Sequence, residues 1–223
     1  MQALVEGVHH FQSIGFKQHK ELFSRLANQQ KPVACFITCS DSRIDPNLIT
    51  NAQPGQLFIV RNVGNIIPCY GTSNNGELAA VEFAVGALGV KDIIVCGHTP
   101  CGAMKSLINP ESLKDLPTVQ HWLRHAHATA TIMKERYSYL SGEQLVTATA
   151  EENVLVQLEH LRTLPCVAAR ASRGLLGLHG WMYKIGTGEI FAYDSDTRQF
   201  QKLGVGGKHS PLASDQKPEV VSK

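Results

Sequence analysis

The chain has 223 residues, 43% apolar, 18% charged and 7% aromatic, enough for one large or two small domains with a sizeable core. Its 21 Lys and Arg against 19 Asp and Glu leave a formal charge of +2. That near balance, with no cationic cluster, argues against a nucleic-acid partner. The longest apolar runs, such as Ile93 to Cys96, fall far short of the roughly 20 residues that cross a bilayer, and Met1 to Gln12 has neither the basic nor the apolar region of a signal peptide. A protein without a membrane span is expected, cytoplasmic or inside a compartment of the cytosol.

In chain order, Leu4, Val8 and Phe11 and then Leu22, Phe23 and Leu26 recur at helical spacing, with Gly15 as the expected break. This is an amphipathic arm over residues 1–28. Pro32-Val-Ala-Cys-Phe-Ile-Thr38 and Leu57-Phe-Ile-Val60 are apolar runs of the kind found in strands buried on both faces. After a loop from Asn62 to Ser73, Asn74 and Glu77 resemble a capping box. Leu78, Val81, Val85 and Leu88 then share a helix face that Gly89 closes. A third strand, Asp92 to Cys96, precedes Gly97-His-Thr-Pro-Cys-Gly102, and helical patterns follow over Thr118 to Tyr137 and Glu143 to Leu164. Leu178 to Ile185 and Glu189 to Asp194, separated by Gly186-Thr-Gly188, form a hairpin at a sheet edge.

The alternation predicts an α/β fold: a mostly parallel central sheet flanked by helices, with an N-terminal helical arm and a C-terminal edge hairpin. Residues 1–203 are one domain. Residues 204–223 are too poor in apolar side chains to fold alone and are expected to be a flexible tail or a docking peptide.

Two polar clusters stand where strands end: Cys39-Ser-Asp-Ser-Arg43, and His98-Thr-Pro-Cys101. In open parallel sheets the functional crevice lies at the carboxyl ends of the strands, so both can face one crevice. Two thiolates and an imidazole suit zinc, and three protein ligands leave a fourth position for water or substrate. Asp41 and Arg43, two residues apart on a tight loop, can pair. None of the six cysteines forms a Cys-x-x-Cys pair, and a cytosolic chain of this size needs no disulfides.

Other chemistry-bearing residues have plainer readings. Cys35 and Cys96 lie in buried strand patterns and act as small apolar residues. His121, His125 and His127 lack an acidic partner and mark a solvated helix face, and His179 with Trp181 suits sheet packing or a subunit contact. Gly64, Gly97 and Gly102 suit tight turns beside the metal rather than a phosphate loop.

Cys39-Ser-Asp-Ser-Arg43, Arg61-Asn-Val-Gly-Asn65, Cys96-Gly-His-Thr-Pro-Cys-Gly102 and Leu178-His-Gly-Trp181 together carry a resemblance to the β-class carbonic anhydrases. It runs from the arm to about Leu203, and within the family it is closest in character to the plant-like subtype and to cyanobacterial members, some of them carboxysomal. The resemblance implies one zinc per subunit on Cys39, His98 and Cys101, with Asp41 and Arg43 as a catalytic dyad. It implies reversible hydration of carbon dioxide to bicarbonate and a proton by attack of zinc hydroxide. It also places Gln30 at the substrate through its amide, Phe58 and Val63 in an apolar pocket wall, and Phe83 and Gly102 beside them. Two thiolates cancel the charge of the dication, so bound water is less acidic than on a histidine-only site and activity rises toward alkaline pH.

Phe36 stands where the other subtype has tryptophan, which lowers the expectation of that subtype's bicarbonate inhibition site. Phe83 replaces a usual tyrosine, Ala103 a glycine and Cys69 a proline. The resemblance further implies a homodimer or a multiple of dimers, with the arm on a neighbouring subunit and each site completed across the interface. A carboxysome scaffold protein is a further candidate partner. Asp41 released from Arg43 could close the zinc site. The competing functions are hydrolysis of carbon disulfide or carbonyl sulfide on the same fold, and a zinc-stabilised interaction protein whose site Asp41 keeps closed.

Overall fold

The computed structural model describes residues 1–72 and 75–204, and it opens on the arm: α1 (Gln2–His10), a wider π-type turn over Phe11–Gly15, α2 (Phe16–Gln18) and α3 (Lys20–Leu26). The break expected at Gly15 is not there. Gly15 keeps helical dihedrals, φ −59° and ψ −44°, and the interruption falls at His19, φ −112° and ψ 18°. The reason is aromatic. Bending at His19 accompanies a stack of Phe16 on Phe23, centroids 5.5 Å apart, with Phe11 edge-on to Phe23 at 5.9 Å. Gly15 serves to admit the Phe11 ring, which lies 3.2 Å from where a Cβ would stand. Leu4, Val8, Phe11 and Ile14 stay exposed, so the arm's apolar stripe has no full cover among the described residues.

Strand β1 (Ala34–Cys39) is buried at all six positions, as a continuous apolar run requires. Helix α4 (Pro46–Thr50) starts from Asp45, whose Oδ1 accepts from the N–H groups of Asn47 and Leu48 at 3.0 and 3.2 Å. After β2 (Leu57–Asn62) comes α5 (Gly76–Glu82), which continues through a π-type turn over Phe83–Ala87 and stops at Gly89, φ +68°. Its N-cap is Asn75, not Asn74: Asn75 Oδ1 accepts from Leu78 N–H at 3.1 Å, three residues on. Asn74 lies outside the described residues.

Strand β3 (Asp92–Thr99) runs three residues beyond the expected end, because Gly97, His98 and Thr99 pair with Met182, Tyr183 and Lys184. Then follow α6 (Gly102–Ile108), α7 (Pro117–Leu123), α8 (His127–Arg136), α9 (Gly142–Arg162), α10 (Pro165–Ala171), β4 (Gly177–Lys184), β5 (Glu189–Asp194) and β6 (Gln199–Lys202). The long pattern from Thr118 to Tyr137 is split between α7 and α8 by a 3₁₀ turn at Arg124–Ala126. Of the expected tail, residues 204–223, all but Gly204 lie outside the described residues.

The sheet order is β2-β1-β3-β4-β5-β6. The first four strands are parallel and the last two antiparallel, so the hairpin does extend the sheet, with β6 beyond it at the edge. Strand alternation sends Cys35, Ile37 and Cys39 with Ile93, Val95, Leu178 and Met182 to the main core under the helices. Ala34, Phe36, Ile94 and Cys96 face the other way, where Trp181 meets Phe36 edge-on at 6.0 Å. Helix α9 lies closest to the sheet over Gly97 and Gly180 of the adjacent strands β3 and β4. Among the described residues no helix is long and apolar enough to cross a membrane.

Candidate active site

Cys39 ends β1, His98 is the penultimate residue of β3, and Cys101 is the N-cap residue of α6. Parallel pairing of β1 with β3 therefore brings the three together at the carboxyl ends of the strands. Their donor atoms all lie within 4.8 Å of one another, and all three residues are buried. Among the described residues this is the one group of three or more His, Cys, Asp or Glu that meets such spacing.

Both ring nitrogens of His98 are buried with no hydrogen-bond partner. An orphaned polar atom in a core costs free energy, and a metal ion accepting one of those lone pairs removes part of that cost. The sulfurs supply the charge. Cys39 is held down to about 4, first by the hydrogen bond from the Cys101 thiol and further by His98 and the backbone N–H groups of Gly64 and Asp41, against the effect of burial. Cys101 is pushed up by the same hydrogen bond to Cys39, by burial and by the Cys39 charge. Without a cation, then, the pair retains one proton; with a dication both sulfurs ionise. Two thiolates and an imidazole are a zinc donor set, and the residues fit that ion.

Asp41 lies over this cluster, its Oδ2 4.0 Å from His98 Nε2. Arg43 holds it from three directions: Nε to Oδ1 at 2.9 Å, Nη2 to Oδ2 at 2.7 Å, and its own backbone N–H to Oδ1 at 3.0 Å. The guanidinium keeps the Asp41 carboxyl well below the usual carboxylate range. Arg43 Nη2 also donates to the Pro100 carbonyl at 3.1 Å, tying the dyad to the loop that carries Cys101.

Arg61, whose residue type alone points to no role, fastens the same turn: Nε donates to the Cys39 carbonyl at 3.2 Å and Nη2 to the Asp41 carbonyl at 2.8 Å. The motif Arg61-Asn-Val-Gly-Asn65 was the available signal for it. Arg43, Cys101 and Gly102 also share a cleft of about 740 Å³ with Lys105 and Lys184.

The expected substrate residues are placed less uniformly. Phe58 and Phe83 meet, with ring centroids 6.1 Å apart. Val63 is partly exposed, one residue before Gly64, whose N–H reaches the Cys39 sulfur at 3.4 Å. Gln30 is exposed.

Cys35, Cys96 and His179 fit their plainer readings, whereas His125 is half-buried and not on a solvated face. Burial pushes Cys35 and Cys96 up to about 12. His125 packs edge-on to Trp122 at 5.4 Å, and His179 Nε2 sits 2.8 Å from Asp92 Oδ1 on the neighbouring strand.

Comparison with known proteins agrees with this geometry. A family model described as carbonic anhydrase matches residues 34–190. The chain is 49% identical to a carbonic anhydrase of Synechocystis sp. over 90% of its own length and 73% of the relative's. It superposes on the β-carbonic anhydrase CcaA with a TM-score of 0.92 and 46% identity, covering 96% of this chain and 95% of that one. A tetrameric β-carbonic anhydrase from the ascomycete Sordaria macrospora is similar at a TM-score of 0.74 and 28% identity, over 86% and 95% of the two chains.

Proposed function

The chain belongs to the carbonic anhydrases of the β class, and from that premise we propose how its own residues carry out the zinc-dependent, reversible hydration of carbon dioxide. Cys39, His98 and Cys101 hold the ion. Zinc bound there would supply the Lewis acidity that makes water a nucleophile.

Asp41, kept ionised by Arg43, faces the cluster and accepts a hydrogen bond from the attacking water, which aims a lone pair at the carbon. The single carboxylate orientation that three hydrogen bonds from Arg43 allow sets that aim. Phe58, Val63 and Phe83 give an apolar substrate a wall without competing hydrogen bonds, and Gly102 leaves the cleft open beside Cys101. Gln30 polarises a substrate oxygen. Gln30, exposed on its own chain, makes that contact in a site completed across the subunit interface, as the family resemblance implies.

The exposed apolar stripe of the arm supports that assembly, as does the similarity to a tetrameric relative. Light scattering that finds a monomer would overturn it. A cytoplasmic, carboxysomal location with a scaffold partner rests on similarity to cyanobacterial relatives. A fluorescent fusion that stays diffuse in a carboxysome-forming host would overturn that part.

The observation that carries the reading is the buried Cys39, His98 and Cys101 cluster, with unpartnered His98 nitrogens, beside the Asp41 and Arg43 pair. Stopped-flow hydration at pH ~8.5, above the pKa of a histidine-bound zinc water, tests it on zinc-loaded, reduced protein. Rapid hydration that is lost together with zinc in Cys101→Ser is expected. Zinc-replete protein without activity would refute the reading. The arrangement gives the closed, non-enzymatic alternative no support, since the Asp41 carboxylate is engaged by Arg43.

A further inference from the structure

Helix α9 carries two amides where its pattern calls for apolar residues: Asn153 and Gln157 are fully buried, as is Thr129 of α8. One backbone group dictates the direction of every bond they make. The Ile67 N–H can only donate, and it does so to Gln157 Oε1 at 2.8 Å. Gln157 Nε2 therefore donates to Asn153 Oδ1 at 3.0 Å, and Thr129 Oγ1 to the same oxygen at 3.3 Å. Asn153 Nδ2 is left to donate to the Gly64 carbonyl at 3.0 Å.

The peptide on the other side of Gly64 is held too. Trp122 Nε1 donates to the Val63 carbonyl at 2.7 Å. In a planar trans peptide the C=O and the following N–H point in opposite directions, so this bond turns the Gly64 N–H away from Trp122. That N–H is the one that meets the Cys39 sulfur, at 3.4 Å. Gly64, at φ +83°, has no side chain to restrain it and is the residue type freest to rotate. Its orientation depends on partners that grip the two flanking peptides, and Trp122 and Asn153 each grip one.

We propose that Trp122 and Asn153 are positioning residues of the zinc site, clamping the peptides on either side of Gly64 so that its N–H is aimed at the Cys39 sulfur and tunes that ligand toward the metal. The inference rests on Cys39 being a zinc ligand. The hydrogen bond lowers the energy of the sulfur lone pairs, and the clamp presents the sulfur in one place before metal arrives. Outer partners of this kind typically govern metal affinity by about 10–100-fold.

The test uses Trp122→Phe, which keeps a smaller aromatic ring and removes the donor, and Asn153→Ala. Leu158→Ala, another fully buried position of α9, is the packing control. Cobalt(II) substitution reports the sulfur directly, because an unbonded thiolate gives up an electron more easily. In Trp122→Phe and Asn153→Ala the thiolate-to-cobalt charge-transfer band should move to longer wavelength, and zinc affinity measured against a chromophoric chelator should fall by roughly 10-fold or more. Leu158→Ala should leave the band in place.

Trp122→Phe carries the test alone if Asn153→Ala does not fold. Folded variants with the parent's band and affinity, or an equal band shift in Leu158→Ala, would overturn the proposal while leaving the functional reading intact. A parent protein that binds neither zinc nor cobalt would instead overturn the zinc assignment, and the proposal with it.

Discussion

Replacing Gly97 by alanine should destabilise the protein by about 2 kcal/mol, inside the ~1–3 kcal/mol that overpacking a core usually costs. A Cβ on Gly97 would stand 2.7 Å from Met182 Sδ and 2.7 Å from Val154 Cγ2, with the Ala150 carbonyl at 3.4 Å. Met182 is flexible and can move its sulfur aside. Val154 cannot do the same, because valine in a helix has essentially one χ1 rotamer, so α9 itself has to lift. Nor can the helix slide: a Cβ on Gly180 would meet Val154 Cγ1 at 2.9 Å and Leu158 Cδ1 at 3.1 Å, so the same side chains are already seated on the next strand. Denaturant unfolding of reduced, zinc-loaded protein measures the cost, and a loss of about 4–8 °C in Tm corresponds to it at ~2–4 °C per kcal/mol for a chain of this size. Val154→Ala removes the obstructing methyls, so the double variant should cost at least ~1 kcal/mol less than the sum of the singles, in the range of couplings between touching residues. Strictly additive costs, or a Gly97→Ala protein within ~0.5 kcal/mol of its parent as at an unconstrained surface position, would refute the reasoning.

Three further outcomes follow from the charges at the site. In Arg43→Ala, Asp41 loses both guanidinium hydrogen bonds and should contribute an oxygen to the zinc shell; X-ray absorption showing the parent's coordination would contradict this. Because Arg43 holds the Asp41 carboxyl low, the ionised form stabilises the fold above the ordinary Asp pKa of about 4, and this is lost as pH falls toward the folded-state value. Urea unfolding of Arg43→Gln should accordingly show a shallower loss of stability below about pH 4 than the parent. Metal-free protein treated with iodoacetamide at about pH 6, where only a low-pKa thiol is ionised, should be alkylated at Cys39 and spared at Cys35 and Cys96. Equal labelling by mass spectrometry would contradict the assignment of Cys39 as the ionised sulfur.

The inner strands were legible because burial on both faces forces an unbroken apolar run, and β1 shows one at six successive positions. What pairing alone decides was not. Gly97, His98 and Thr99 read as a loop by composition, yet β4 draws them into β3. β6, Gln-Phe-Gln-Lys, has one apolar residue and exists because β5 offers an edge. Helices α4 and α6 are too short to show a period, and the proline that opens α10 follows the end of α9 closely enough to read as one boundary. Within the site, the ligands and the dyad were visible as residue types at strand ends. Arg61, Trp122 and Asn153 act through backbone carbonyls, which leave no pattern of partner residues. A trace of Asn153 and Gln157 did exist, as two amides four apart on the stripe of Val154 and Leu161.

The backbone donor at Cys39 shows how the cluster can hold a thiolate and still receive a cation. The Cys39 sulfur takes the Gly64 N–H at 3.4 Å, and Cys101 stands at the start of α6. Peptide dipoles stabilise a thiolate while carrying no net charge, so they add nothing that would repel an incoming dication. A lysine or arginine in their place would stabilise the sulfurs as well but oppose the metal. Of the two nearby guanidiniums, Arg43 is bound through two of its nitrogens to the Asp41 carboxylate, so that pair approaches neutrality as seen from the cluster, while Arg61 is turned to the Cys39 and Asp41 carbonyls. With the Arg43 charge met by Asp41, a dication on the two sulfurs and His98 is the charge that fits the cluster.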